Sequence, residues 1–152
     1  MSYALGLYFE EFTVGREFKT LGRTMTEADI VNFCGFSGDF NPLHTDAEYA
    51  AKQPFGGRIA HGMCGFSMAI GSLVRLNILE GTILAFFGIE NWRFKAPVMI
   101  GDTIHGVARV AEAKETKKAD RGLVALDFDV INQKGQSVMG GRLLVMMRRR
   151  PK

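Results

Sequence analysis

Cysteine and histidine are both scarce in this sequence, and their scarcity excludes two classes of small protein. The only cysteines are Cys34 and Cys64, and both fall in segments whose apolar spacing predicts helices. They therefore do not indicate a disulfide framework and are expected to be buried, reduced thiols of a cytoplasmic protein. The three histidines, His44, His61 and His105, lie far apart without the paired cysteine or acidic neighbours of a zinc site. We therefore expect no bound metal.

The chain also lacks the segments that direct a protein to a membrane or to nucleic acid. Its first ten residues contain no positively charged region followed by an apolar run, so they do not resemble a signal peptide. The net charge is only +3, and the two basic runs, 114–121 and 148–152, have no interleaved aromatic residues for base stacking. We interpret the first run as a hairpin turn and the second as a frayed tail. An anionic small molecule is a simpler partner for them than nucleic acid.

What the sequence does contain is the composition of one soluble globular domain. Hydrophobic residues make up 47% and charged residues 23% of the 152 positions, and neither an internal repeat nor a low-complexity linker interrupts them. We therefore expect a single domain over 1–152.

The pattern of apolar residues predicts a buried helix and an antiparallel sheet. From Gly62 to about Leu79 the chain is apolar on every side, with Gly65 and Gly71 permitting close backbone approach, which is typical of a helix inside a core. Arg75 and Asn77 make a membrane span improbable on composition. Upstream of this helix, the sequence predicts a strand over 16–23 and a helix capped by Thr26 and Asp29. Downstream of it, short connections such as the 133–136 hairpin join four β-rich runs, 82–94, 103–114, 122–132 and 137–147. The sequence thus predicts an α+β fold with an antiparallel sheet wrapped around a long central helix.

One short segment combines a carboxylate and an imidazole on a backbone that the sequence predicts to be a bent loop. Asp39 and His44 are five positions apart, and Pro42 disfavours the helical conformation at Asn41. A loop of this kind can bring the two side chains together across one water molecule, with the Asn41 amide holding the bend. This arrangement suits general acid–base chemistry, and burial against the apolar helix would raise the pKa of Asp39. Directly afterwards, Thr45 and Glu48 predict a capping box at the start of a short helix.

Together with the string Ile59-Ala60-His61-Gly62-Met63, the segment 37–44 resembles the signature of the MaoC-like dehydratases, the (R)-specific enoyl-CoA hydratase group of hot-dog-fold proteins. The resemblance covers at least residues 26–105. It implies a hot-dog fold, hydration of a trans-2-enoyl-CoA to a (R)-3-hydroxyacyl-CoA by Asp39 and His44, and two hot-dog domains side by side. No separate cofactor is expected, since CoA is part of the substrate. In some relatives a serine in the central helix supports the aspartate, whereas the position that aligns with it here is Ile70.

The His61–Gly62 pair stands where the buried helix should begin. First-turn N–H groups have no partner within a helix and lie at the positive end of its dipole. Glycine lets an oxygen approach such an N–H closely, so Gly62 is the expected oxyanion donor. His61 has two possible roles: it either hydrogen-bonds a neighbouring carbonyl and so shapes the loop, or it contacts the substrate. Asn41, His61, Phe55 and Arg58 are the candidate substrate-binding residues, and Phe66, Phe86 and Phe87 are further candidates for the pocket wall.

Two other functions remain open at the level of sequence. A hot-dog thioesterase would hydrolyse the same class of thioester, but residues 62–79 contain no Asp or Glu of the kind that several such enzymes place on the central helix. A non-catalytic acyl-CoA-binding protein would leave Asp39 and His44 idle. The unpaired edge of a lone sheet also predicts a homodimer or a higher oligomer of dimers. Arg93, Lys95 and the 114–121 segment are candidates to contact the CoA phosphates.

Overall fold

The computed structural model describes residues 6–151, and these form four helices and six strands around one core. A 3₁₀ turn at Phe9–Glu11 comes first. The elements that follow are β1 (Glu17–Lys19), β2 (Arg23–Thr24), α1 (Glu27–Ser37), α2 (Pro42–Thr45), α3 (Ala47–Ala51), α4 (Gly62–Val74), β3 (Ile83–Phe94), β4 (Thr103–Glu115), β5 (Arg121–Asn132) and β6 (Ser137–Arg148).

The six strands form one sheet, and α4 packs against its inner face. The strand order is β1-β4-β5-β6-β3, with β2 also paired to β4, and every pairing is antiparallel. Leu126, Leu143 and Met147 on the sheet are fully buried, and each such side chain contributes roughly 1.5–3 kcal/mol relative to an exposed one. The predicted α+β hot-dog architecture is confirmed.

Close contact between helix and sheet depends on one of the two glycines expected to permit it. A Cβ at Gly65 would lie 2.7 Å from the Met139 Cε, so only glycine fits there without movement of that side chain. A Cβ at Gly71 would meet no atom within 4 Å among the described residues, so close approach is not the reason for glycine at that position.

Two element boundaries differ from those predicted. Helix α4 ends at Val74 rather than near Leu79, because Asn77 adopts a left-handed backbone (φ 54°) and turns the chain away. Leu79 is nevertheless buried, which explains why the apolar pattern continues past the helix. The expected strand over 16–23 is two short strands, β1 and β2.

Both basic runs occupy ordered positions. The 114–121 segment contains the turn between β4 and β5, as predicted. The 148–152 run is not a frayed tail as far as Pro151, because β6 extends to Arg148 and Arg149 forms ion pairs with Glu10 (2.9 Å) and Glu115 (3.1 Å). Over residues 6–151, none of the helices has the length and apolar character that crossing a membrane requires.

The start of α1 is stabilised by the predicted capping box. The Thr26 Oγ1 accepts a hydrogen bond from the Asp29 N–H (3.3 Å), and the Asp29 carboxylate accepts one from the Thr26 N–H (2.8 Å). Burial alone would raise the pKa of Asp29, but hydrogen bonds from Thr26 and the positive charge of Arg23 outweigh it and lower that pKa.

We predict that Thr26→Ala lowers the free energy of unfolding by about 1 kcal/mol at neutral pH, since the first turn loses its cap. A carboxyl with a lowered pKa in the folded state stabilises the protein above its unfolded pKa, and the stabilisation is lost as the pH falls through the folded value. The difference between variant and wild type should therefore shrink on acidification. Urea unfolding at pH 7 and at about pH 3 measures it, and an equal difference at both would contradict a role for ionised Asp29.

Candidate active site

The segment that carries Asp39 and His44 is a link between two helices, followed by a single helical turn. Gly38 ends α1 in the left-handed conformation (φ 75°), as glycine does at many helix ends. Asn41 then caps α2, its Oδ1 accepting from the Leu43 N–H at 3.0 Å, and Pro42 takes the first helical position. The predicted bent loop is therefore correct for Asp39 but wrong for His44, which lies within α2.

The capping box predicted at Thr45 and Glu48 is displaced by one residue. Asp46 caps α3, accepting from the Tyr49 N–H at 2.9 Å. The Thr45 hydroxyl instead lies 3.2 Å from the carbonyl oxygens of Phe40 and Asn41, so it braces the end of α2. The sequence signal was real, but a carboxylate one position later supplied the stronger cap.

The imidazole of His44 is held in one orientation. Its Nδ1 lies 2.8 Å from the Ile59 carbonyl oxygen, and the residue is only 9% exposed. Because a carbonyl can only accept, Nδ1 carries the proton and Nε2 of the neutral ring is left with a free lone pair. The neutral ring therefore presents Nε2 as its hydrogen-bond acceptor.

His61 links this turn to the start of α4. Its Nε2 donates to the Asp39 carbonyl oxygen at 3.0 Å, and its ring stacks on that of His44 with centroids 3.7 Å apart. It is 4% exposed and also contacts the Cys34 Sγ at 3.7 Å. The backbone before it is fixed by the Ala60 N–H, which donates to the Val98 carbonyl at 2.8 Å. His61 therefore lies beside a neighbouring carbonyl, as one of its two interpretations requires, and it also lines the apolar cleft described below, which leaves the substrate-binding interpretation open.

Asp39, His44 and His61 form one cluster despite their separation in sequence. One nitrogen or carboxylate oxygen from each lies within 4.8 Å of the others, a span that a single water molecule can bridge. The expectation that the histidines lie far apart is thus wrong for His44 and His61. His44 Nδ1 and His61 Nε2 donate to backbone carbonyls, which fixes the orientation of both rings and leaves the other nitrogen of each neutral ring with a lone pair.

Asp39 is more open than the sequence led us to expect. Its Oδ1 accepts from the Asn41 N–H at 3.1 Å, and its Oδ2 is 3.9 Å from the His61 Nε2. The side chain remains 52% exposed, so one chain does not supply the expected burial against the apolar helix. Water can therefore reach the carboxylate directly.

An apolar cleft of about 410 Å³ begins at the N-terminus of α4, and we call it the acyl cleft. The His61 carbonyl accepts from the N–H groups of Cys64 (3.0 Å) and Gly65 (3.2 Å), so the Gly62 N–H precedes the first donors of the helical ladder. A Cβ at Gly62 would lie 2.8 Å from the Phe94 ring. Besides Gly62 and Phe94, the walls of the acyl cleft include Phe55, Ile59, Lys95, Pro97, Val98 and Met139.

Some candidate residues lie elsewhere or have structural partners. Arg58 forms an ion pair with Glu27 at 2.6 Å, which occupies its guanidinium. Phe66 packs edge-on against Trp92 and is absent from the walls of the acyl cleft. Ile70 packs against the core and offers no polar group to Asp39. Phe86 and Phe87 are exposed on β3 and are absent from the walls of the acyl cleft.

The structure also identifies wall residues that sequence reasoning missed. Phe94 and Met139 face each other across the β3–β6 pair, and both border the acyl cleft. Neither belongs to a motif, because their position depends on strand register rather than on local sequence.

The buried thiols are as predicted: Cys34 and Cys64 are free, and burial raises the pKa of Cys64.

Comparison with known proteins places this geometry in a family. The sequence pattern described as "MaoC like domain" matches residues 10–131. The chain is 42% identical over 114 residues to Protein MaoC of Klebsiella aerogenes, covering 75% of this chain and only 33% of that protein. It is 38% identical to the (R)-specific enoyl-CoA hydratase of Rhodospirillum rubrum, covering 73% of this chain and 74% of that enzyme.

A solved structure agrees over nearly the whole length. The monoamine oxidase regulatory protein from Archaeoglobus fulgius superposes with a TM-score of 0.90 at 38% identity, covering 97% of this chain and 98% of that one. The sequence pattern spans most of the chain, including the Asp39–His44 segment and the start of α4. The chain therefore belongs to the family of proteins with a MaoC-like domain.

Proposed function

We propose that the protein catalyses the reversible hydration of a trans-2-enoyl-CoA to a (R)-3-hydroxyacyl-CoA. The observation that carries the proposal is the cluster of Asp39, His44 and His61, from each of which one nitrogen or carboxylate oxygen lies within 4.8 Å of the others, at the turn that His61 links to the start of α4. The hydratase from R. rubrum supports the same class of reaction, since its name assigns it to enoyl-CoA hydration.

The proton balance of the site favours syn addition. Hydration places the oxygen of water on C3 and a proton on C2 of the enoyl group. The proposed mechanism uses Asp39 as the carboxylate and His44 as the neutral ring that keeps its proton on Nδ1, so neither side chain supplies a free proton at the outset. The proton that reaches C2 must then be the one removed from the water, so both additions occur on the face of the substrate that the cluster contacts.

Charge on the thioester oxygen requires a hydrogen-bond donor during this sequence. The Gly62 N–H is the proposed donor, because it lies at the positive end of α4 and borders the acyl cleft. The acyl chain would occupy the apolar cleft between Phe55, Phe94 and Met139. Asn41 would act indirectly, by capping the turn that carries His44.

The test is an assay that separates hydration from hydrolysis and from binding. Crotonyl-, octenoyl- and mesaconyl-CoA are each incubated with the protein, and the enoyl-thioester absorbance and free thiol are followed together. Hydration lowers the absorbance without releasing thiol, and the reverse reaction restores it from the 3-hydroxyacyl-CoA. Thiol release would support the thioesterase alternative, whereas binding without change in either signal would support a non-catalytic acyl-CoA-binding protein.

The thioesterase alternative is disfavoured by the central helix itself. Helix α4 carries no Asp or Glu over Gly62–Val74, so it offers no carboxylate to attack a thioester carbonyl or to activate water beside it. Asp39 belongs to a different segment, and the hydrogen bond from His61 Nε2 to the Asp39 carbonyl oxygen links that segment to the start of α4.

The proposed assembly is a homodimer formed through β3. This strand pairs only with β6 among the described strands, so its other edge has unpaired backbone groups. The centre of that edge carries exposed apolar side chains: Phe86 is 45%, Phe87 60% and Ile89 42% exposed. A second copy related by a two-fold axis would continue the sheet and cover these side chains. Such a neighbour could also cover the half-exposed Asp39.

We predict that Phe87→Glu converts the dimer to a monomer, because it introduces like charges opposite each other across the two-fold axis. Val14→Glu is the matched control, since Val14 is 69% exposed and lies in the turn before β1, the strand at the opposite end of the sheet from β3. Sedimentation equilibrium at micromolar concentration measures both variants. A wild-type monomer that still hydrates enoyl-CoA, or a Phe87→Glu variant that remains dimeric, would refute the interface.

A further inference from the structure

A second cleft, of about 590 Å³, lies at the opposite end of β3 from the acyl cleft. We call it the basic cleft, because its walls are Tyr8, Gly81, Ala119, Asp120 and the run Arg148–Pro151. Its backbone is anchored on both sides: the Arg148 N–H donates to the Thr82 carbonyl at 2.8 Å, and the Arg149 N–H donates to the Asp120 carbonyl at 2.9 Å. The three arginines thus project from a fixed main chain.

Arg148 is the uncompensated cation of this cleft. Arg149 is paired with Glu10 and Glu115, and Arg150 is paired with Glu11 at 3.1 Å. Within residues 6–151, Arg148 has neither an ion pair nor a side-chain hydrogen bond, and it is exposed. The acidic wall residue Asp120 is already bound by the Arg121 guanidinium at 2.7 Å, and the hydrogen bond and charge of Arg121 lower its pKa to about 2.

These features suit a phosphate ligand. A guanidinium donates two parallel hydrogen bonds to phosphate oxygens, and an arginine without a carboxylate partner need not break an ion pair to do so. The Arg150 guanidinium lies over the Tyr8 ring, 5.4 Å from its centroid. This contact positions two walls of the cleft and does not involve Arg148, so Arg148 stays available to a ligand.

The two-fold axis proposed above brings the basic cleft of one subunit towards the acyl cleft of the other. A sheet that continues across a two-fold axis has its two central strands antiparallel, so the start of one β3 lies alongside the end of its partner. Gly81 of the basic cleft lies two residues before the start of β3, and Phe94 and Lys95 of the acyl cleft lie at its end. Within one subunit, by contrast, the whole of β3 separates the two clefts, a length of roughly 36–40 Å at about 3.3 Å per residue.

We propose that the basic cleft of one subunit, through Arg148, binds the phosphate groups of a CoA thioester whose acyl end lies in the partner's acyl cleft. This inference rests on the proposed hydratase function and on the dimer through β3. It assigns a ligand to the 148–151 run that the sequence had suggested was an unstructured tail. It also makes each active site incomplete without the second subunit.

The first test compares two substrates that share the enoyl group but differ in phosphate. Arg148→Glu should raise KM for crotonyl-CoA by about 10-fold or more with little change in kcat, the effect of losing one charged hydrogen bond. It should leave the kinetics with crotonyl-pantetheine, which has no phosphate, unchanged. Lys19→Glu on β1 is the control for the change in net charge and should behave as wild type with both substrates.

The outcomes separate this inference from the proposed function. If wild type turns over neither substrate, the hydratase proposal fails. If wild type is active and Arg148→Glu affects both substrates equally, or neither, the phosphate site is wrong. Thermal unfolding of the variant, expected to match wild type because Arg148 is exposed, shows that the kinetic change is not loss of fold.

A second test asks which subunit supplies the arginine. Asp39→Asn and Arg148→Glu chains are co-expressed with different tags, and the mixed dimer is isolated. In that dimer the site with an intact Asp39 has Arg148 only from its partner, so it should show the low KM of wild type at about half the maximal rate. A mixed dimer that keeps the high KM of the Arg148→Glu homodimer would show that Arg148 acts within its own subunit, which would overturn the shared site.

Discussion

Asp39→Asn is expected to lower kcat for enoyl-CoA hydration by on the order of 10²–10⁴, the usual contribution of a general acid or base. The substitution removes the negative charge and the proton-accepting capacity of the side chain, while the amide oxygen can still accept the Asn41 N–H that now lies 3.1 Å from Oδ1. The local turn should therefore persist. The loss should appear mainly in kcat, since the acyl cleft is not lined by Asp39.

The measurement is the decrease of enoyl-thioester absorbance at saturating substrate, with the unfolding temperature recorded for each variant. His105→Ala is the matched control, because His105 lies on β4 opposite Ile131 and away from the residues that line the acyl cleft. It should retain nearly full activity. Near-full activity of Asp39→Asn would contradict the assignment of Asp39, and a comparable loss in His105→Ala would show that the assay reports general damage to the fold.

The fold was predictable because its main signals are periodic. The apolar stretch after Gly62 and the alternating runs that follow it depend on residue type at regular spacing, and this spacing determined one buried helix and four long strands. The errors occur where a single residue determines the end or the cap of a helix. A left-handed Asn77 ended α4 early, and Asp46 rather than Thr45 capped α3. Such choices depend on local competition between similar side chains, which a pattern of apolar residues does not contain.

In the candidate site, too, residues that belong to local motifs could be predicted, whereas residues placed by tertiary contacts could not. Asp39, His44 and Gly62 belong to continuous motifs, so their identity could be proposed before any coordinates. Their environment could not, because Phe94 and Met139 reach the acyl cleft through the register of β3 and β6. The exposure of Asp39 was also misjudged, since the sequence indicates an apolar helix nearby but not the angle at which the turn presents the carboxylate. The ordered 148–151 run depends on acidic partners more than 30 residues away in sequence, at Glu10, Glu11 and Glu115.

His44→Ala should lower kcat by a similar factor, on the order of 10²–10⁴, and the double variant with Asp39→Asn should be hardly worse than the more damaged single variant. The proposed reason is geometric: both side chains contribute an atom to the 4.8 Å cluster, which a single water can bridge, so removing either would leave that water held on one side only. Groups that act as a unit give losses that do not multiply.

Truncation at His44 also removes the donor to the Ile59 carbonyl and the ring stacked on His61, so a stability loss of about 1 kcal/mol is expected alongside the kinetic one. Activity is therefore measured well below the unfolding temperature of the variant, and the double-mutant cycle is built from kcat alone. If the losses multiplied, Asp39 and His44 would be acting in separate steps, and the single-water mechanism would have to be abandoned. If the double variant matches the worse single variant, Asp39 and His44 act as one unit, as two residues that hold one water should.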